Sequence, residues 1–212
     1  LAGTVTGFVG SETLASATTG TLAYTTAATT SSNVGSYTVD GSGLTANNGN
    51  YVFVQAAGNS GALSITPASL TVTAANASKT YDAQAYTGGA GVSYSGFVNS
   101  ETSAVLGGTL SYGGNSQGAV NAGSYTITPQ GLTAGNYSIS YSNGSLTVNP
   151  ATLTYTAGAA SRTYGAANPA LSGTVTGFVG SETLASATTG TLAYATAATT
   201  SSNVGSYTVD GS

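Results

Sequence analysis

Acid–base, nucleophilic and metal chemistry all draw on a small set of side chains, and this sequence is nearly empty of them. Its charged residues are Glu12, Asp40, Asp82, Glu101, Glu182, Asp210, Lys79 and Arg162, with no His and no Cys in 212 residues. Without His a Ser-His-Asp relay is impossible, and a Lys-based nucleophile would have to use Lys79 alone. The lack of Cys and His also excludes disulfides and thiolate or imidazole metal sites. Glu12, Glu101 and Glu182 recur in Gly-Phe-Val-x-Ser-Glu-Thr at 7–13, 96–102 and 177–183. A glycosidase needs two carboxylates about 5–9 Å apart, and one per motif is too few. Nor do the acids cluster in the Asp-x-Asp-x-Asp spacing of a calcium loop. The recurring Glu is therefore read as an acceptor of backbone N–H bonds in a turn or at a helix start, with a junction metal or partner contact as the rival. No catalytic, cofactor-binding or metal-ligating residue is assigned, no cofactor is implied, and the chain is read as a non-enzyme.

What must position these residues is a repeat, and repeats are settled before any single element. Leu171–Ser212 restates Leu1–Ser42 at an offset of 170, differing only at Ala2/Ser172 and Thr25/Ala195. The match predicts a segment cut from a longer array. A weaker period lies inside it. Pro67-Ala68-Ser69-Leu70 aligns with Pro150-Ala151-Thr152-Leu153, and Lys79-Thr80-Tyr81-Asp82 with Arg162-Thr163-Tyr164-Gly165, both at an offset of 83. Thr-Leu-Ala/Ser-Tyr returns at 21–24, 109–112 and 191–194, and Gly-Ser-Tyr-Thr at 35–38, 123–126 and 205–208. Asn-Tyr closes the pattern at 50–51 and 136–137. The expected organisation is one complete domain at 67–149, a partial one at 1–66 lacking its first strand, and a partial one at 150–212 lacking its last strands. The two fragments are complementary.

The bulk numbers narrow the class. Thirty-one Gly, 40% hydrophobic residues and only four Pro read as all-β with many turns. Charged residues make up 4% of the chain against about 25% in ordinary soluble domains, yet the apolar content is too high for disorder. A net charge of −4 with two basic residues cannot neutralise a phosphate backbone, which argues against nucleic acid as a partner and against electrostatic docking to anionic membrane. No apolar run approaches the ~20 residues of a membrane helix.

Period-two alternation marks strands at Leu70–Thr73, Gly91–Tyr94, Thr109–Tyr112, Ser124–Ile127, Tyr137–Tyr141 and Ser145–Val148. They are expected to be antiparallel, with Asn143-Gly144 closing a tight hairpin between the last two. Ser100–Leu106 invites one helical turn capped by Asn99 or Ser100. Tyr37, Tyr125 and Tyr207 recur in one strand and suit a core or corner position. The fold class is tandem small antiparallel β-sandwiches, immunoglobulin-like, of about 83 and 87 residues in a 170-residue double repeat. A β-grasp variant remains the alternative topology.

Arg162-Thr163-Tyr164-Gly165-Ala166-Ala167-Asn168-Pro169-Ala170-Leu171, followed by Gly-Phe-Val-Gly-Ser-Glu-Thr, resembles an MBG domain of the Tyr-Gly-x type. Lys79-Thr80-Tyr81-Asp82 resembles the related Tyr-Asp-Gly class, though Ala83 stands where that class has Gly, which leaves both classes open for the middle domain. The resemblance covers essentially the whole chain. It implies tandem arrays in large bacterial surface proteins similar to filamentous-haemagglutinin-type adhesins, hence an extracellular or cell-surface location, and it carries over no catalytic residues.

Lys79 is read as a stem-packed or solvated side chain near a junction rather than half of a Lys–Asn crosslink, because Arg162 replaces it in the next repeat. Asn76, Asn136 and Asn143 fit a glycosylation pattern by coincidence, and the Thr-rich stretch at 25–32 lacks the strict short period of an ice-binding face. The function expected is a structural segment of an adhesin stalk or a self-assembling surface or matrix fibre. Scarce surface charge predicts self-association through sheet edges. The alternative is a glycan- or host-receptor-binding module acting through avidity.

Overall fold

The protein is described over residues 1–212 by a computed structural model. It is all-β, of β-sandwich type, as the alternation and turn-rich composition predict. The first repeat contains a one-turn helix α1 (Leu14–Ala17) and strands β1 (Thr18–Thr25), β2 (Gly35–Tyr37), β3 (Asp40–Ala46) and β4 (Leu63–Ile65). The middle repeat supplies β5 (Ala68–Ala74), β6 (Ala77–Thr80), β7 (Val92–Ser95), β8 (Gly107–Gly113), β9 (Gly123–Thr133), β10 (Tyr137–Ser142) and β11 (Gly144–Asn149). The third holds β12 (Thr154–Ala157), β13 (Gly173–Thr176), a second helical turn α2 (Leu184–Ala187), β14 (Tyr194–Ala195) and β15 (Asp210–Gly211).

Two compact units divide the chain, and their boundaries fall inside the middle repeat. One comprises Leu1–Thr73, Val92–Leu110 and Gln130–Ser142. In it β1 pairs antiparallel with β3, β2 pairs with β4, and a three-stranded sheet runs in the order β10-β5-β7. Leu70 and Val72 alternate inward along β5 and are fully buried, and Tyr137, paired with Ala68 at the start of β10, is nearly so. The other unit comprises Ala74–Gly91, Ser111–Pro129 and Asn143–Ser212. Its main sheet runs β6-β11-β9-β8, and Ile127, Leu146 and Val148 form its core with Ala74 and Ala119, against which Tyr81, Tyr86, Tyr112 and Tyr125 pack.

All six nominated strands form, but two of the expected details do not. The pairing is mixed, because β10 runs parallel to β5 and β11 parallel to β6. Tyr137 faces Ala68 and Leu146 faces Ala77, the same offset of 69 for both pairs. Consequently β10 and β11 do not form a hairpin across Asn143-Gly144. A single residue separates them, too few for the two-residue loop a tight hairpin needs. Neither Asn143 nor Gly144 has positive φ. Glycine is required at 144 for close approach instead: a Cβ there would sit 2.6 Å from the Ala75 carbonyl oxygen and 2.8 Å from that of Ala74. Asn76 seals this approach by accepting the Ser145 N–H through Oδ1 at 2.8 Å.

The helical turn after each Gly-Phe-Val motif is capped by Thr, not by Asn99 or Ser100. Thr13 and Thr183 each form a reciprocal capping box with Ser16 and Ser186. In the middle repeat Thr102 caps a single 3-10 turn, Ser103–Val105. The three recurrent tyrosines are corner residues. Tyr37, Tyr125 and Tyr207 donate their hydroxyls to the carbonyls of Asn33, Asn121 and Asn203, four residues upstream, at 2.7, 2.9 and 2.8 Å.

Candidate functional site

The motif Gly-Phe-Val-x-Ser-Glu-Thr folds into a β-turn in which the Glu N–H donates to the Val carbonyl. The bonds are 3.3 Å for Glu12 to Val9, 2.9 Å for Glu101 to Val98 and 3.2 Å for Glu182 to Val179. The variable residue x occupies the left-handed region, at φ 63° for Gly10, 53° for Asn99 and 61° for Gly180. Glycine and asparagine are the residues that tolerate it, which explains why x is one or the other. The turn aims the Glu carboxylate at a tyrosine far along the chain.

In the first repeat the Tyr51 hydroxyl donates to Glu12 and accepts the Val9 N–H at 3.0 Å. In the middle repeat Tyr137 donates to Glu101 and accepts the Val98 N–H at 3.1 Å. The motif's Phe completes each lock edge-on, with Phe8 and Tyr51 centroids 5.8 Å apart and those of Phe97 and Tyr137 5.5 Å apart. The carboxylate beside Tyr51 holds its hydroxyl above the usual phenol range, and burial followed by Glu101 does the same for Tyr137. In the third repeat Glu182 accepts from Tyr81 at 2.6 Å and from its own turn's Val179 N–H at 3.3 Å. Tyr81 is raised in turn by Glu182.

The recurring Glu therefore accepts a backbone N–H at one position only, Glu182, and a tyrosine hydroxyl at all three. The sequence reading named the Glu and missed its partner. The signal was present in the Asn-Tyr landmark, which accompanies the motif in both stretches that extend far enough to carry it.

Landmark side chains also join one repeat to the next. Asn136 accepts the Val34 N–H through Oδ1 at 2.9 Å and donates to Asn33 Oδ1 at 2.9 Å, while Asn99 donates to the Thr30 carbonyl at 3.0 Å. Middle and third repeats meet through Tyr81 and Glu182. Lys79 is ion-paired to Asp82 at 2.6 Å and donates to the Gln84 carbonyl at 2.7 Å, which holds the Asp82 carboxyl below the usual range. Arg162 ties down its own loop through Asn168 at 2.7 Å and through the Thr199 carbonyl. Of the asparagines that fit the glycosylation pattern, Asn76 and Asn136 both have side chains engaged in these internal bonds. No three carboxylates gather into one cluster.

A β-sandwich repeat whose recurrent polar residues brace turns and junctions defines a class of tandem structural module. The chain belongs to the family described as MBG domain (YGX type), which matches it three times, at residues 1–60, 70–147 and 153–212. The middle stretch thus falls in the same class as its neighbours. No curated protein and no solved structure matches the chain. Domains of this family are repeat modules of surface proteins. No helix is long and apolar enough to cross a membrane.

Proposed function

We propose that the chain is a non-catalytic structural segment of an extracellular bacterial adhesin stalk or of a surface or matrix fibre that assembles from its own repeats. The observation that carries the reading is the tyrosine–carboxylate lock. Each of the three recurring Glu side chains is committed to a tyrosine. Groups that an enzyme or a receptor module would present to a ligand are here engaged in internal bonds. The bonds from Asn136 and Asn99 to residues 30–34 tie neighbouring repeats together, which is what a spacer needs to transmit load. Short connections at Thr66-Pro67 and Asn149-Pro150 limit the freedom between repeats.

The test is electron microscopy of intact cells labelled with gold-coupled antibody against the 170-residue double repeat. Label distributed along filaments or stalks outside the cell is expected. Label confined to the cell interior contradicts the reading, and label restricted to a distal tip would replace it with a receptor-binding role.

A further inference from the structure

Asparagine side chains hold the joint between the first and middle repeats, and they do so around a hollow. Asn136 accepts the Val34 N–H at 2.9 Å and donates to Asn33 Oδ1 at 2.9 Å, and Asn99 donates to the Thr30 carbonyl at 3.0 Å. Beside them lies a cavity of about 310 Å³ whose walls include Val34, Val105, Glu101 and Tyr137. Val105 is 47% exposed and Val34 only half-buried, so apolar packing adds little here and the polar bonds carry the joint. The bond from residue 99 is not a by-product of its turn. Glycine meets the same left-handed backbone at 10 and 180, so the turn itself does not need asparagine. What Asn99 adds is the bond to Thr30.

One hydroxyl inside the middle repeat positions both asparagines. Tyr137 directly follows Asn136, and its hydroxyl accepts the Val98 N–H at 3.1 Å and donates to Glu101. Val98 and Glu101 bracket Asn99. The Tyr137 ring is 5% exposed and sits edge-on against Phe97. The Asn136 carbonyl also accepts the Ala68 N–H at 3.0 Å, just past Thr66-Pro67, where the chain passes from one repeat to the next. A single buried tyrosine thus fixes the turn that carries Asn99, the strand start that carries Asn136 and the exit of the connection.

We infer that the Tyr137–Glu101 lock is the latch of a hinge at Thr66-Pro67. Closed, it holds Asn99 and Asn136 against residues 30–34; broken, it frees the joint while both repeats stay folded. The bonds that open are few and lie at or near the surface, whereas Leu70 and Val72 keep their buried places. The inference deepens the spacer reading, on which it rests for its role under load, by naming the element that yields before a repeat does. Its failure leaves a stalk with fixed joints, because cell-surface labelling does not depend on it.

The test is amide hydrogen exchange, followed by NMR on the whole 212-residue chain carrying Tyr137→Phe, Asn99→Gly or Tyr51→Phe. Tyr137→Phe keeps the buried ring and removes only the hydroxyl. Val34 should then exchange about tenfold faster, the scale of one lost bond to a charged acceptor, with Val148 in β11 unchanged. Asn99→Gly, a residue the turn already uses at 10 and 180, should speed exchange at Val34 by a smaller factor. Tyr51→Phe breaks the equivalent lock of the first repeat, whose partners are Phe8, Val9 and Glu12, and should leave Val34 as it was. Unchanged exchange at Val34 in Tyr137→Phe or Asn99→Gly would overturn the inference. So would an equal rise at Val148, or the same response to Tyr51→Phe.

Discussion

Replacing Leu146 by alanine probes the effect of two-sided strand pairing most sharply when set beside the same change at Leu63. Leu146 is fully buried between Ala77 on one side and Tyr125 on the other. Truncation removes three carbons, worth about 2.4 kcal/mol at ~0.8 kcal/mol per buried methylene. A cavity left by incomplete collapse adds to that, for a total of roughly 3–4 kcal/mol. Leu63 is only half-buried and is paired on one side, so its truncation should cost about 1–2 kcal/mol. In a unit of about this size each kcal/mol lowers the midpoint by about 4–8 °C, so Leu146→Ala should lower the transition of the compact unit that contains it by roughly 12–30 °C. Differential scanning calorimetry on the two variants, with near-ultraviolet circular dichroism following the tyrosines, reads the difference. Equal costs at the two positions, or a cost below ~1 kcal/mol at Leu146, would refute the argument that two-sided pairing and full burial set the energetic centre of the sheet.

Three further outcomes are expected. Tyr51, Tyr81 and Tyr137 are raised in the fold, so the stability they contribute is fully present below the ordinary phenol pKa near ~10 and is lost as pH rises through their higher values. Ultraviolet titration should show these three ionising late, with melting falling over the same interval; early ionisation would break the lock argument. Gly144→Ala places a methyl against two backbone carbonyls that cannot yield as a side chain does, at a cost of about 1–3 kcal/mol read by thermal denaturation. Asn136→Ala strips the Val34 N–H of its acceptor and should accelerate amide exchange at Val34 with a loss of about 1–2 kcal/mol, while exchange in β11 stays unchanged.

What the sequence revealed and what it concealed divide along a physical line. Alternation fixes which residues face inward, so Leu70, Val72, Ile127, Leu146 and Val148 were legible as core before any pairing was known. It does not fix the partner strand. Asn143-Gly144 therefore read as a hairpin, although the chain needs glycine there for contact with Ala74 and Ala75. The strand Ala77–Thr80 escaped notice because Ala-Ser-Lys-Thr holds no large apolar residue, and its place is set by the parallel pairing to β11. Recurrence proved a better guide to polar roles than local pattern. It picked out the corner tyrosines correctly, since their bonds span four residues. It flagged Glu12 and Glu101 without their partners, because Tyr51 and Tyr137 lie 39 and 36 residues away and only the fold brings them in.

The central claim is that these repeats are mechanical elements, and pulling on them tests it most directly. A chain carrying the repeat, held between a surface and a force probe, should extend in discrete steps as folded repeats give way one at a time. Each step should release at most ~3.6 Å per unfolded residue. Smooth extension with no resisted steps would contradict the account, because a stalk built from repeats that yield without force transmits no load.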